Sequence, residues 1–411
     1  MVGRLTGLCL VTVSLAATLA GADHFTAQRK AVLALGKLTA PPAWQEAADR
    51  PGTPNLKAIY FDALPYQGRP TKVFAWLGFP TNHTGKVPGV ALVHGGGGTA
   101  FKEWVERWNA HGFAAISIAV EGQTDERNAA AKDRDNPSGW KRHAWAGPRR
   151  HGIYGDSDKP LADQWMYHAV ADTILANSLL RSLPEVDADK AGVMGISWGG
   201  VIVSTVIGID DRFAFAIPTY GCGNLADAAN QYGRALGNNQ LYRQVWDPMV
   251  RMRRAHVPTL WFSWPGDQHF PLDKQAACYR AAPGPHLVTL VPGMRHGHAA
   301  AWRRPESYAF AESVVRTGKP WCQQTGMQRD GYCVRVQFRC AKPIDKAVLI
   351  STTDTGFTGS RRWTTAPAKL KQEQNRVSSE ATLPPGTTAW FVNLHTGDLV
   401  ASSDYFECNH R

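Results

Sequence analysis

Residues 193–200 read VMGISWGG, and the meaning of the rest of the chain depends on how this stretch is read. Ser197 stands between Gly195 and Gly199, directly after an apolar run. A serine hydroxyl is a poor nucleophile until a base takes its proton and its oxygen is exposed. A sharp strand-to-helix turn raises that oxygen, and flanking glycines let the backbone turn without clash. The same turn aims the Trp198 N–H from the start of a helix, where positive potential is available to a developing oxyanion. Five residues do not separate a nucleophile from a tight connection; their surroundings must. "KAGVMG" (190–195) predicts a strand and "GGVIVSTVIGI" (199–209) the start of a helix, which is the context the pattern requires.

The flanking sequence repeats that alternation. Opening strands are predicted at 57–64 and 72–80, and "VPGVALVHGGGG" (87–98) reads as a buried strand entering a glycine-rich loop. A helix at 101–112, a strand at 113–120, a long amphipathic helix at 161–183, strands at 213–220, 257–264 and 285–293, and a helix at 305–318 follow. Strands alternating with helices at this spacing indicate a parallel sheet with crossover helices. Residues 121–160 break the pattern. This polar stretch carries Trp140, Trp145 and Tyr154, and is read as an insertion that covers or rims a site. Beyond 319 the pattern becomes alternating and β-branched, as in "CVRVQFRC" (333–340), which predicts a small antiparallel β-sandwich.

The first residues combine Arg4, an apolar run from Leu8 to Leu19 and the Ala20-Gly-Ala22 site of a secretory signal peptide, with cleavage expected after Ala22. The expected organisation is a signal peptide at 1–22, an α/β domain at 23–318 and a β-sandwich at 319–411. The expected location is periplasmic or secreted, without stable membrane insertion. Six cysteines remain after cleavage (Cys222, Cys278, Cys322, Cys333, Cys340 and Cys408), an even number that permits disulfides in an exported protein. The formal net charge of +11 suits acidic polysaccharide or envelope surfaces. No nucleic-acid motif accompanies it, and no metal-ligand spacing is present.

An activated serine needs partners. "HGGGG" (94–98) follows a buried strand and offers the Gly96 or Gly97 N–H as a second oxyanion donor. It lacks the endings of a phosphate-binding loop. Asp267 directly follows the strand 257–264 and is favoured as the acid over Asp273, which reads as a helix cap. His296 follows the last strand and is favoured as the base over His298, with His269 after the wrong strand. Trp140, Trp145 and Trp198 are candidates for an aromatic wall that binds a sugar ring.

The order Ser197…Asp267…His296 is that of the α/β-hydrolases. On "VHGGGGTAFKEW", "VDADKAGVMGISWGG", "PGDQHFP" and "PGMRHGHAAAW", residues 57–318 resemble the dienelactone hydrolase and acetylxylan esterase branch of that superfamily, which borders the prolyl oligopeptidase catalytic domains. The resemblance implies an eight-stranded sheet, no cofactor, and hydrolysis of a carbohydrate ester through an acyl-serine. It departs from dienelactone hydrolases in having serine for cysteine, from prolyl oligopeptidases in having no propeller-sized segment before the hydrolase strands, and from glucuronoyl esterases in having Trp198 for arginine. A serine peptidase and a non-catalytic glycan-binding protein are the competing expectations.

Overall fold

The computed structural model describes residues 25–408; the expected signal peptide and its cleavage site lie outside the described residues. Eleven strands precede the tail: β1 (Trp44–Glu46), β2 (Leu56–Tyr66), β3 (Arg69–Gly78), β4 (Val87–Val93), β5 (Ala114–Ile118), β6 (Gln123–Arg127), β7 (Trp140–Arg142), β8 (Val186–Ile196), β9 (Ala216–Thr219), β10 (Thr259–Ser263) and β11 (His286–Leu290). All but β6 and β7 join one sheet in the spatial order β1-β2-β3-β5-β4-β8-β9-β10-β11. The pairs from β5 to β11 are parallel, and β1, β2 and β3 pair antiparallel at one side. The expected eight strands are β2–β5 and β8–β11, with the short β1 added at the edge.

The sequence explains this arrangement. In β5, β9 and β10 every residue is buried, as expected for parallel strands covered by helices on both faces. Helices α1 (Lys102–Ala110), α2 (Trp165–Ser182) and α3 (Trp198–Val206) supply part of that cover. The predicted helix at 161–183 begins instead with a 3-10 turn at Leu161–Asp163. It is also not amphipathic, because nearly every residue from Trp165 to Leu180 is buried. The chain order reverses at β4, which has β5 on one side and β8 on the other. At such a switch point the loops after adjacent strands diverge and open a crevice. Val93 pairs with Gly195 across it, which sets the HGGGG loop beside Ser197.

The insertion at 121–160 is not bare loop. β6 and β7 form a two-stranded ladder, tied to β3 by Trp76 Nε1 donating to Asp125 (2.9 Å) and by the Lys72 N–H donating to the Trp145 carbonyl (3.0 Å).

The tail holds β12 (Cys322–Asp330), β13 (Cys333–Cys340), β14 (Lys346–Thr352), β15 (Thr364–Glu373), β16 (Arg376–Thr382), β17 (Ala389–Thr396), β18 (Leu399–Ser402) and β19 (Phe406–Glu407). All pair antiparallel, and β15 bridges two groups, pairing with β14 through its first half and with β16 through its second. β13 alternates exposed and buried residues along its whole length, as expected of a sheet with one face in water. The tail is joined to the α/β part, since β18 pairs with β11 at Ser402 and Val288. The six cysteines among the described residues carry free thiols, so none of the disulfides that the sequence permits is formed here. Cys322 and Cys340 do face each other across β12 and β13, with sulfurs 2.7 Å apart. Cys333 is exposed, and the Cys408 sulfur accepts a hydrogen bond from Arg329. No helix among the described residues is long and apolar enough to cross a membrane.

Candidate active site

Ser197 ends the β8 strand turn with φ 60° and ψ −116°, outside the regions that residues with a Cβ ordinarily adopt. Such strain costs about 1–3 kcal/mol and persists only where the surroundings enforce it. The enforcement comes from close packing. A Cβ on Gly195 would lie 2.1 Å from the Gly199 carbonyl oxygen, and one on Gly199 would lie 2.0 Å from that of Val93. The Ser197 N–H donates to the Thr219 carbonyl at 2.9 Å, anchoring the turn to β9.

The structure brings the three predicted triad residues together. The Ser197 hydroxyl donates to His296 Nε2 (2.9 Å), and His296 Nδ1–H donates to Asp267 Oδ2 (2.8 Å). Asp267 is buried, and its other oxygen accepts the N–H groups of His269 (2.7 Å) and Phe270 (2.9 Å). Those bonds fix the carboxylate, which in turn selects the imidazole tautomer with a free acceptor facing serine. Rings of Tyr220 and Phe270 flank His296, 4.4 Å and 6.0 Å away. The Tyr220 hydroxyl donates to the Arg295 carbonyl (2.7 Å), holding the turn that carries the base. Asp273 lies in the first turn of the helix Leu272–Ala281 and pairs with Lys274, and the N-cap is Pro271, so Asp273 is neither acid nor cap. The His269 ring lies 4.7 Å from that of His296, tilted against it, and bonds to Gln231.

His298 has a different task from the one weighed for it. Its Nε2 accepts the N–H of Gly95 at 2.9 Å, across the switch-point crevice. Burial, with His94 and His296 nearby, lowers its pKa to about 3, so the ring stays neutral and keeps that acceptor. His94 supports the same loop. Its Nε2 accepts the Val120 N–H (3.1 Å), which puts the proton on Nδ1, facing the Gly95 carbonyl (2.8 Å). Burial is the main cause that lowers the His94 pKa to about 4. Gly96 lies against the Trp198 side, where a Cβ would meet the indole at 3.2 Å. Gly97 faces the insertion instead, and its carbonyl accepts from Ser138 (2.6 Å) and Trp140 Nε1 (2.9 Å). Of the two glycines considered, Gly96 is the one placed beside Trp198.

The expected wall of three tryptophans does not form. Trp140 is buried and braces Gly97, with Arg127 stacked over it at 4.3 Å. Trp198 is buried among Tyr154, Trp165 and Tyr232, at 5.6–5.7 Å. Of the three, only Trp145 is exposed, beside Tyr60 of β2 and His143. Large rings in a folded core are filled by neighbours, and only Trp145 has a face left for a ligand. Arg150, which the sequence did not single out, reaches the site. Its guanidinium stands 5.3 Å from the Trp198 ring, with Nη2 3.3 Å from where a Gly96 Cβ would be. Glu121 pairs with it at 3.2 Å; burial pushes that carboxyl up, and Arg150 pulls it back.

The tail also touches the site. Leu272 N–H donates to Thr358 Oγ1 (3.0 Å), Gln268 donates to the Gly359 carbonyl, and Gly359 packs onto the Asp267 carbonyl so closely that a Cβ would lie 2.1 Å from it.

Two family models match the chain, acetyl xylan esterase over residues 54–227 and the prolyl oligopeptidase family over residues 153–309. An acetyl xylan esterase from Paenibacillus sp. R4 is 21% identical with a TM-score of 0.50, covering 66% of this chain and 88% of its own. Acetyl xylan esterase 1 from Thermoanaerobacterium sp. is 17% identical with a TM-score of 0.52, covering 67% and 88%. A probable dipeptidyl-peptidase 5 from Aspergillus terreus is 26% identical over 164 residues, 39% of this chain but only 20% of that protein's length. Together with the switch-point crevice and the Ser–His–Asp contacts already described, these matches give the chain the α/β-hydrolase fold and a likeness, over its N-terminal and central parts, to acetyl xylan esterases and to the prolyl oligopeptidase family.

Proposed function

We propose that the protein is an exported serine carboxylester hydrolase that removes acetyl or another small acyl group from an esterified saccharide. The observation that carries the reading is the unbroken hydrogen-bond chain Ser197–His296–Asp267, with Gly96 packed beside Trp198. His296 Nε2 takes the Ser197 proton as Oγ attacks the ester carbonyl. The carbonyl oxygen becomes an oxyanion held by the Gly96 and Trp198 N–H groups, each contributing about 2.7–4 kcal/mol to the chemical step. Collapse breaks the ester C–O bond, and the proton on His296 goes to the departing sugar hydroxyl. Water, deprotonated by His296, then cleaves the acyl-serine, releasing the acid and restoring the serine. Asp267 keeps its negative charge throughout and stabilises the imidazolium.

An acetyl group is favoured by the acetyl xylan esterase model and by two solved acetyl xylan esterases of the same fold. Hydrolysis of p-nitrophenyl acetate tests the reaction. Ser197→Ala is expected to remove nearly all turnover and all labelling by a fluorophosphonate probe; full activity in that variant refutes the mechanism. A panel of acetylated, methyl-esterified and feruloylated polysaccharides, with released acid measured, identifies the ester. The prolyl oligopeptidase match supports a second reading, a serine peptidase. Cleavage of dipeptidyl chromogenic substrates without esterase activity would establish it. Export predicts that the mature chain begins at Asp23, which N-terminal sequencing reads directly.

A further inference from the structure

The β2–β3 hairpin and the insertion enclose a cavity of about 280 Å³ that the proposed chemistry does not use. Arg69, Arg142, Arg149 and Lys159 line it with Tyr66 and Trp145, and no aspartate or glutamate does. Cations gathered around one concavity repel each other, and the repulsion is relieved only by an anion or by water. The protein supplies little relief. Among the described residues Arg69 and Lys159 have no ion pair and no side-chain hydrogen bond. The Arg142 guanidinium donates only to the carbonyls of Glu121 and Gly147, which are uncharged. Arg149 alone is paired, with Asp133 at 2.7 Å and Asp135 at 3.9 Å, and neither carboxylate lines the cavity.

The remaining lining narrows the chemistry. Trp145 is 41% exposed at the rim, next to cations whose forks match a planar anion. An exposed ring face with a few convergent polar groups is the usual composition of a small-molecule site. A simple anion would leave the indole uncovered; a sugar ring covers it. The insertion that forms the cavity also reaches the oxyanion loop. Arg142 and Arg149 also line a second, smaller cleft with Gly97 and Gly98 of the glycine loop, where Glu121 and Asp135 supply the opposite charge. The next residue, Arg150, reaches Trp198 and Gly96.

We propose that this cavity is a subsite for a carboxylate-bearing sugar, so that the ester cleaved at Ser197 is carried by a uronic-acid-containing glycan. The substrate half of the statement rests on the esterase reading; the subsite does not. The test separates them by measuring binding without turnover. Full-length Ser197→Ala protein is titrated calorimetrically with oligogalacturonate, a neutral galactose oligomer of equal length, and a sulfated galactose oligomer. Oligogalacturonate is expected to bind roughly tenfold or more tighter than the neutral oligomer, with affinity falling as salt rises. Adding Arg69→Gln and Lys159→Gln, which remove no native ion pair or side-chain hydrogen bond, is expected to reduce that affinity about tenfold or more. Equal binding of the neutral oligomer, tighter binding of the sulfated one, or no change in the double variant overturns the subsite. Wild-type cleavage of p-nitrophenyl acetate with no oligogalacturonate binding rejects the subsite alone. Oligogalacturonate binding without any esterase activity keeps the subsite and rejects the ester.

Discussion

A single methyl group added far along the chain from the triad is expected to slow the reaction. Gly359 sits in the tail on the 3-10 turn Thr358–Ser360 and packs against the backbone of Asp267. Its φ is not in the left-handed region, so alanine meets no backbone strain there, and the effect of Gly359→Ala is purely steric. The new Cβ would stand 2.1 Å from the Asp267 carbonyl oxygen, whereas real Cβ contacts essentially never fall below 3.0 Å. One side must therefore retreat by about 1 Å. The Thr358 and Gln268 hydrogen bonds tie the turn to the acid loop, so the loop moves. The His296–Asp267 bond, now 2.8 Å, stretches beyond useful length. A 1 Å misplacement of catalytic groups costs on the order of 100-fold in rate, equal to about 2.7 kcal/mol. The assay is kcat for p-nitrophenyl acetate in protein whose far-ultraviolet circular dichroism matches wild type. Undiminished kcat in folded Gly359→Ala refutes the claim that the tail positions the acid.

Replacing Ser197 by glycine abolishes turnover and releases the strain at φ 60°, so Ser197→Gly should be more stable than Ser197→Ala by about 1–2 kcal/mol in urea unfolding; equal or lower stability refutes the strained turn. His298 has its pKa lowered to about 3, mainly by burial, so below about pH 6.5 the unfolded chain takes up a proton that the folded one refuses. The stability advantage of wild type over His298→Gln should therefore be full above pH 6.5 and shrink by about 1.4 kcal/mol per unit as pH falls toward 4; a pH-independent difference refutes it. Exposed to dissolved oxygen or a glutathione disulfide buffer, Cys322 and Cys340 should form a disulfide, visible as a cross-linked peptide, and Cys340→Ser should lower the stability of the oxidised protein by about 3 kcal/mol. Alkylation of both thiols in folded, oxidised protein refutes that pairing.

Ser197, Asp267 and His296 were legible because each follows its own apolar strand, and strand ends are where a parallel sheet presents reacting groups. The sheet was legible for the same reason, since continuous apolar runs such as Ala114–Ile118 leave little alternative to burial on both faces. His298 was visible as a residue but not as a role. What decides it is the Gly95 N–H, contributed by the glycine loop 203 residues earlier in the chain. Arg150 and the separation of the three tryptophans were hidden for another reason. The insertion has no hydrophobic period from which a face can be assigned, so its side chains are placed by hydrogen bonds such as Trp140 to Gly97. The turn at Thr358–Ser360 gave no signal because a glycine forced by contact with a distant carbonyl looks, in sequence, like any loop glycine.

The pairing of Ser402 with Val288 bears on how the chain reaches its folded state. β11 is the last strand of the hydrolase sheet, and a strand in that position presents unpaired N–H and C=O groups that recruit other chains. Here the cap arrives more than one hundred residues later in the sequence. Until that segment has emerged, the sheet ends on an open, apolar template. An early stop or a clipped tail therefore leaves a sticky edge rather than a smaller enzyme, and truncation at residue 318 should yield aggregates where the full chain yields soluble protein.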